Sequence, residues 1–310
     1  MNIQEYHFPS ATGECEIYGN VYTPENGDIK GVFVIHHGMA EHQKRYFNFI
    51  SYLTDCGYAV YMHDMANHGK SNQNFDLTGF FGKKDGYRNL VKDLKTTFDK
   101  AKNENPDKKI VVMGHSMGSF IVRCFTAWYS DAGFCGAVYM GTGGFNPIAG
   151  IGDKASALVA KLTGYTHKSK MLDKMTFGAY GNQFDKRTAF DWLTRDKAVV
   201  DEYIADKYCG FLFSAQGMND LVKLNIAANT DEWYKKVPKQ LNILLISGDM
   251  DPVGNYAKGI KEINDKLIAT GHRNVVMKLY SQGRHEILNE LNKEEVYKDI
   301  VNFADKCIKL

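Results

Sequence analysis

Along most of the chain, short apolar runs alternate with longer segments whose apolar residues recur at helical spacing. That is the pattern of a parallel sheet covered by helices. The runs predict strands at Glu14–Tyr22, Gly31–His36, Tyr58–Met62, Lys109–Met113, Gly136–Met140, Asn242–Ser247 and Asn274–Tyr280. Several of them, VFVI, IVVM and NILLIS among them, are apolar at every position. A strand reads that way when both of its faces are covered. Leu90, Val91, Leu94, Phe98 and Ala101 share one helical face, and Val296, Ile300 and Phe303 suggest a closing helix of the same kind. Both segments are expected to pack on the sheet.

The alternation stops between Phe145 and Pro238. No strand pattern occurs there, while aromatic residues are frequent, with Tyr165, Phe177, Tyr180, Phe184, Phe190, Trp192, Tyr203, Phe211 and Phe213. So long an excursion between two core strands is too large for a loop. It predicts a helical cap over residues 145–238, inserted into a core made of residues 1–144 and 239–310. The chain carries no internal repeat and no low-complexity segment.

Composition adds limits to this picture. With 310 residues, 44% hydrophobic and 24% charged, the chain can bury one large core. Its 38 basic and 36 acidic residues leave a net charge of +2, which argues against a polyanionic partner such as nucleic acid. The opening residues MNIQEYHFPS lack the basic run and apolar stretch of a signal peptide. No stretch approaches the roughly 18 apolar residues of a membrane span. The six cysteines are scattered, without CxxC or metal-finger spacing, so buried reduced thiols and a cytoplasmic location are expected.

The candidate chemistry begins at Lys109–Phe120, KIVVMGHSMGSF, where an apolar strand runs directly into Gly114-His115-Ser116-Met117-Gly118 and then into a helix-compatible segment. G-x-S-x-G in a strand–turn–helix context is a nucleophile elbow. The sharp turn puts the serine in strained backbone geometry, and glycines on either side let strand and helix approach closely. Ser116 would then sit at a helix N-terminus, where backbone N–H groups stabilise negative charge.

A serine nucleophile needs a base and an acid that orients the base. The strand LNILLIS runs into Gly248-Asp249-Met250-Asp251-Pro252, and NVVMKLY runs into Ser281-Gln282-Gly283-Arg284-His285-Glu286. Acid and histidine thus follow the serine in the order Ser…Asp…His, each just past a strand. Asp249 lies closer to its strand and Asp251 one turn further, so both are candidates. His272 precedes its strand and would lie at the wrong end of the sheet, which leaves His285 as the base. The oxyanion donors are expected to be the backbone N–H of Met117, just after the serine, and that of Met39, in the loop His37-Gly38-Met39-Ala40-Glu41-His42 after an early strand. Five histidines fall between His36 and His68, but no HExxH or comparable spacing accompanies them. No metal and no cofactor are expected.

Taken together, HHGMAEHQKRY, DMANHGKS at 64–71, GHSMGS, SGDMDPVG and GRHEILNE resemble the monoacylglycerol lipase and lysophospholipase branch of the α/β-hydrolases, in the right order and over nearly the whole chain. The resemblance implies an α/β-hydrolase fold, a mostly parallel sheet flanked by helices with a helical cap over an apolar acyl pocket. It implies Ser116 as nucleophile, Asp251 rather than Asp249 as acid, His285 as base, and Met39 and Met117 as oxyanion donors. The expected reaction is hydrolysis of a lipid-like ester, a monoacylglycerol or lysophospholipid, through an acyl-enzyme, with transient contact between the cap and a membrane surface. A small-ester carboxylesterase or an aminopeptidase-like enzyme is the nearest alternative, and a non-catalytic ligand-binding protein a more distant one.

Other conspicuous features read as structural. Gly141-Thr142-Gly143-Gly144 lacks the lysine of a phosphate-binding loop and suits a hinge into the cap. Asp64, His68 and Gly69 would shape a loop beside the site, His115 would pack rather than react, and Glu41 and His42 would brace the oxyanion loop.

Overall fold

The computed structural model describes residues 1–309. Its centre is one eight-stranded sheet: β1 (Asn2–Pro9), β2 (Glu16–Thr23), β3 (Gly31–His36), β4 (Tyr58–His63), β5 (Ile110–His115), β6 (Gly136–Met140), β7 (Asn242–Gly248) and β8 (Val275–Tyr280). The spatial order is β1-β2-β4-β3-β5-β6-β7-β8. β1 and β2 run antiparallel to their neighbours, and the pairs from β4 through β8 are parallel. Every residue of β3, β4, β5 and β6 is buried, which is why these segments read as unbroken apolar runs.

Helices cover both faces. Val32 and Val34 pack on one side with Leu90, Leu94 and Phe98 of α2 (Gly86–Glu104) and with α3 (Met117–Trp128). Phe33 and Ile35, next to them on the strand, point the other way, toward α1 (Phe47–Asp55) and α10 (Lys293–Lys309). This is the period-two alternation of a strand sandwiched between two apolar layers. Each such side chain, once fully buried, contributes roughly 1.5–3 kcal/mol. The two helices expected from their apolar faces are α2 and α10.

β1 was not anticipated. It is an outer strand on which Tyr6 alone is buried, and its polar-rich sequence carries neither a continuous apolar run nor a clean alternation. Its place comes from pairing with β2 from end to end.

Residues 145–238 contain helices α4 (Ala149–Thr163), α5 (Lys170–Phe177), α6 (Lys197–Ala205), α7 (Ala215–Ala228) and α8 (Asp231–Lys236), with a single β-bridge between Lys168 and Ser214. α4 packs on α7, while α7 and α8 pack on α3. Trp233 and Tyr234 of α8 are buried in the same apolar cluster as α2 and α3, and the Trp233 indole donates to Arg123 O at 2.6 Å. α7 and α8 therefore continue the helical layer on one face of the sheet. After β7, α9 (Lys258–Ala269) leads into β8. No helix among the described residues is long and apolar enough to cross a membrane.

Because β3, β5, β6, β7 and β8 are parallel, the loops that follow them open at one end of the sheet. The segments holding Met39, Ser116, Gly141, Asp251 and His285 all lie there, at the carboxyl edge where parallel sheets bind ligands.

Candidate active site

Ser116 joins β5 to α3 with φ 54° and ψ −123°, a left-handed conformation for a residue with a side chain. Two glycines make this turn feasible. A Cβ on Gly114 would land on the backbone of Gly118 and Ser119, and one on Gly118 would land on the carbonyls of His37 and His36. The Ser116 N–H donates to Met140 O at 2.9 Å, fixing the turn to β6. Met117 is the first residue of α3. Neither its N–H nor that of Met39 has an acceptor among the described residues. Gly38 brings the Met39 loop against the elbow, since a Cβ there would sit 3.1 Å from Ser116 Cβ.

His285 and Asp251 meet at the ends of β8 and β7, with Nδ1 of the histidine 3.0 Å from Oδ1 of the acid. Asp251 is fully buried. Its carboxylate also accepts from Val253 N–H at 2.9 Å and Ser247 Oγ at 3.1 Å. Burial alone would raise its pKa, but the charge and hydrogen bond of His285 and the Val253 N–H hold it below the usual carboxylate range. Asp249 instead accepts from Gln282 N–H at 2.7 Å, away from the histidine. Of the two acids left open by the strand ends, Asp251 reaches His285. His272 packs elsewhere, between Leu267 O and Val237 O.

The His285 ring is held between two others. His115 lies 4.6 Å away and Trp192 5.2 Å away, centroid to centroid. His115 packs as expected, with Nε2 3.3 Å from His285 O and Nδ1 3.2 Å from Glu41 Oε1. Glu41 braces the Met39 loop directly. It accepts from Gly38 N–H at 2.7 Å, Tyr46 Oη at 2.8 Å and Arg45 at 2.9 Å. Arg45 in turn forms a bidentate pair with Glu286, both contacts at 2.6 Å. Burial would push the Glu41 carboxyl up and the His115 imidazole down. Their mutual contact, aided for Glu41 by Arg45, reverses both directions. Asp64 accepts from Gln43 N–H and Lys70 N–H, each at 2.8 Å, and His68 Nε2 accepts from Ala40 N–H at 3.3 Å. The 64–69 segment thus shapes the loop beside the site.

Trp192 stands out in the sequence only as one aromatic among many, with nothing to tie it to His285. It comes from residues 145–238, where no motif marks it. Its carbonyl accepts from His285 N–H at 3.4 Å, and the next carbonyl, Leu193 O, accepts from Glu286 N–H at 2.7 Å. Arg284 donates to Asp191 O and Thr194 O, and Arg195 pairs with Glu290 at 2.8 Å. Residues 191–195 are therefore bonded to the loop that carries His285.

Ser116, Met39, Met117 and His285 open onto a cavity of about 1110 Å³. Its wall is mainly apolar, with Phe120 from α3, Leu172 and Met175 from α5, and Leu221 and Val222 from α7. Ile148 and Ile151 line the same space yet stay about two-thirds exposed, at 65% and 71%, so the apolar wall extends to the surface.

Comparisons with known proteins place the chain among hydrolases. The family model described as serine aminopeptidase, S33, matches residues 27–292. The chain is 28% identical to a monoacylglycerol lipase of Mycolicibacterium smegmatis over 307 residues, covering 96% of this chain and 95% of that protein. It is 23% identical to a monoglyceride lipase of Mus musculus, covering 87% and 80% respectively. Among solved structures, a thermostable carboxyl esterase from Bacillus coagulans, determined in complex with glycerol, superposes with a TM-score of 0.93 at 28% identity over 99% of both chains.

Proposed function

The chain belongs to the serine aminopeptidase, S33, family of α/β-hydrolases, among monoacylglycerol lipase-like relatives, and from that premise we propose that it hydrolyses carboxylic esters of lipid-like substrates through an acyl-enzyme on Ser116. The observation that carries the proposal is the strained Ser116 turn facing the same cavity as His285, whose Nδ1 lies 3.0 Å from the buried Asp251 carboxylate. Ser116 Oγ attacks the ester carbonyl while His285 Nε2 takes its proton. Asp251, at Nδ1, holds the imidazole in the tautomer that leaves Nε2 free and stabilises the imidazolium. The Met39 and Met117 amides receive the developing oxyanion, each contributing roughly 3 kcal/mol in sites of this type. His285 then returns the proton to the leaving alcohol, and water repeats the sequence to release the acid. No metal or cofactor enters these steps.

The shape and chemistry of the cavity support the lipid-like substrate. A largely apolar space of this volume suits an acyl chain better than an aminoacyl group. The glycerol held by the related carboxyl esterase favours a glycerol head group. We assign the cap role to residues 145–238. On α4, Ile151, Leu158 and Leu162 lie on one exposed face, and Met171 and Met175 of α5 are exposed as well. That stripe suits transient contact with a lipid surface.

The deciding experiment pairs active-site labelling with a substrate panel. A fluorophosphonate probe should label the parent chain and not Ser116→Ala, with both folded by circular dichroism. Monoacylglycerols and lysophospholipids should be hydrolysed with higher kcat/KM than short esters or aminoacyl amides. Labelling that persists in Ser116→Ala would refute the nucleophile, and a preference for aminoacyl amides would refute the substrate class.

A further inference from the structure

The connection between α6 and α7 lies against the loop after β3. Tyr203 Oη and Gly210 N–H both donate to Ala40 O at 3.0 Å. In this seam His42, Asp206 and Cys209 bring one ligating atom each to within 4.8 Å of one another. His42 is buried, and Asp206 and Cys209 are partly buried. One turn sets the latter two: Cys209 N–H donates to Asp206 O at 2.9 Å, and Tyr208 N–H to Asp206 Oδ1 at 2.8 Å. The other oxygen, Oδ2, is left facing His42 Nε2 at 2.8 Å. Cys209 is a free thiol. None of the three lines the cavity, and none has a part in the ester chemistry.

We propose that His42, Asp206 and Cys209 form a binding site for a divalent cation of the zinc class, which ties the α6–α7 connection to the Met39 loop. An imidazole nitrogen, a carboxylate oxygen and a thiolate sulfur are the donors that zinc accepts, whereas calcium and magnesium avoid sulfur. Tetrahedral ligands on zinc stand roughly 3.4–3.7 Å apart, given its bond lengths. The site reaches that geometry if the His42–Asp206 contact opens slightly and Cys209 moves inward. The partly exposed side of the cluster leaves room for water as fourth ligand. Charge also suits a dication, since an ionised Asp206 and a Cys209 thiolate together balance it. The nearby Arg45 guanidinium is already matched by Glu41 and Glu286, and Lys207 lies over the Tyr208 and Phe75 rings. Ligand-spacing patterns miss such a site because His42 is 164 residues from Asp206; only the Asp206-x-x-Cys209 half is local.

The test is a titration of the EDTA-stripped full chain with cobalt chloride, followed by displacement with zinc chloride. Cobalt should bind with one equivalent per chain and give a thiolate-to-cobalt charge-transfer band that zinc abolishes, and zinc should raise Tm. Cys209→Ala should lose the band. Asp206→Asn and His42→Ala should each weaken cobalt binding by more than the roughly 10–100-fold that loss of a merely supporting partner costs. Circular dichroism identifies variants that remain folded, and Asp206→Asn, at a partly exposed position, serves if a buried replacement does not. Absence of stoichiometric binding, a band that survives Cys209→Ala, or unchanged affinity in Asp206→Asn would each overturn the site. None of these readouts depends on ester hydrolysis, so their failure leaves the proposed reaction untouched.

Discussion

Ser116 keeps a left-handed φ only because its surroundings impose it, and the two flanking glycines are the local cause. Gly118 tests this most directly. In Gly118→Ala the new methyl group meets the His36 and His37 carbonyls, backbone atoms that cannot turn aside. The expected result is loss of fluorophosphonate labelling with a clear drop in Tm. An active Gly118→Ala with unchanged Tm would show that the turn is looser than its geometry implies. The two acids give a second residue-level prediction. Asp251→Asn removes the carboxylate that orients His285 and should lower kcat by roughly 10³–10⁴-fold, as in comparable triads. Asp249→Asn removes only an acceptor for Gln282 N–H and should change kcat by a few-fold at most. Steady-state kinetics on the two variants decide the assignment, and the reverse order would refute it. The serine, both acids and the histidine were legible in the chain because each directly follows an apolar strand. The choice of Asp251 rested on resemblance, since strand ends do not say which of two carboxylates turns inward. Trp192 was not legible, because it reaches His285 through a segment whose path no local pattern fixes.

At the scale of elements, Arg123 on α3 joins the parts that sequence periodicity separates. Its guanidinium donates to Thr142 Oγ1 at 3.2 Å, Gly143 O at 3.1 Å, Asn229 Oδ1 at 3.0 Å and Ala228 O. These acceptors stand at the entrance to α4 and at the exit from α7. The group is fully buried, lies 4.4 Å over the Trp233 ring and has no carboxylate partner among the described residues. Burial accordingly pulls its pKa below the ordinary arginine value. Arg123→Met keeps much of the volume but strands several carbonyls, each worth about 1–3 kcal/mol when unsatisfied. Relief from burying a lone cation offsets part of that loss. A net destabilisation of roughly 2–4 kcal/mol is expected in urea unfolding, with faster proteolysis between residues 143 and 229. Stability equal to the parent would mean that the carbonyls find other donors. The same region marks where pattern reading lost resolution. The break in alternation marks the strand-free stretch between β6 and β7, within which α7 and α8 pack on α3 as ordinary sheet-covering helices, because packing partners and not periodicity decide which layer a helix joins. β1 escaped for the complementary reason: an edge strand with one buried side chain carries almost no apolar signal.

Across the whole molecule, opposing sets of buried titratable groups shape the response to pH. His36, His37, His63 and His68 are buried with pKa values depressed by desolvation, that of His36 to about 3. The unfolded chain takes up these protons first, so the stability they allow is complete above about pH 6.5 and is lost as pH falls below it. Asp93 and Asp220 act in the opposite sense. Burial raises them to about 6 and about 7, so the stability they contribute is complete below their ordinary value of 3.8 and is lost as pH rises through those raised values. Between about pH 4 and 6 each group changes stability by up to about 1.4 kcal/mol per pH unit. Acidification therefore lowers stability through the four histidines and restores it through the two carboxylates. Asp220 separates the two sets. It accepts from Tyr87 N–H at 3.0 Å, beside Gly86 at the start of α2, and an asparagine oxygen can retain that bond without a charge. Asp220→Asn should thus stabilise the protein more at pH 7 than at pH 5, by about 2 kcal/mol. Urea unfolding of parent and variant at the two pH values measures the difference. An equal effect at both would mean that Asp220 is ionised in the folded state throughout this range, and that its burial is relieved by solvent reaching the α2–α7 contact.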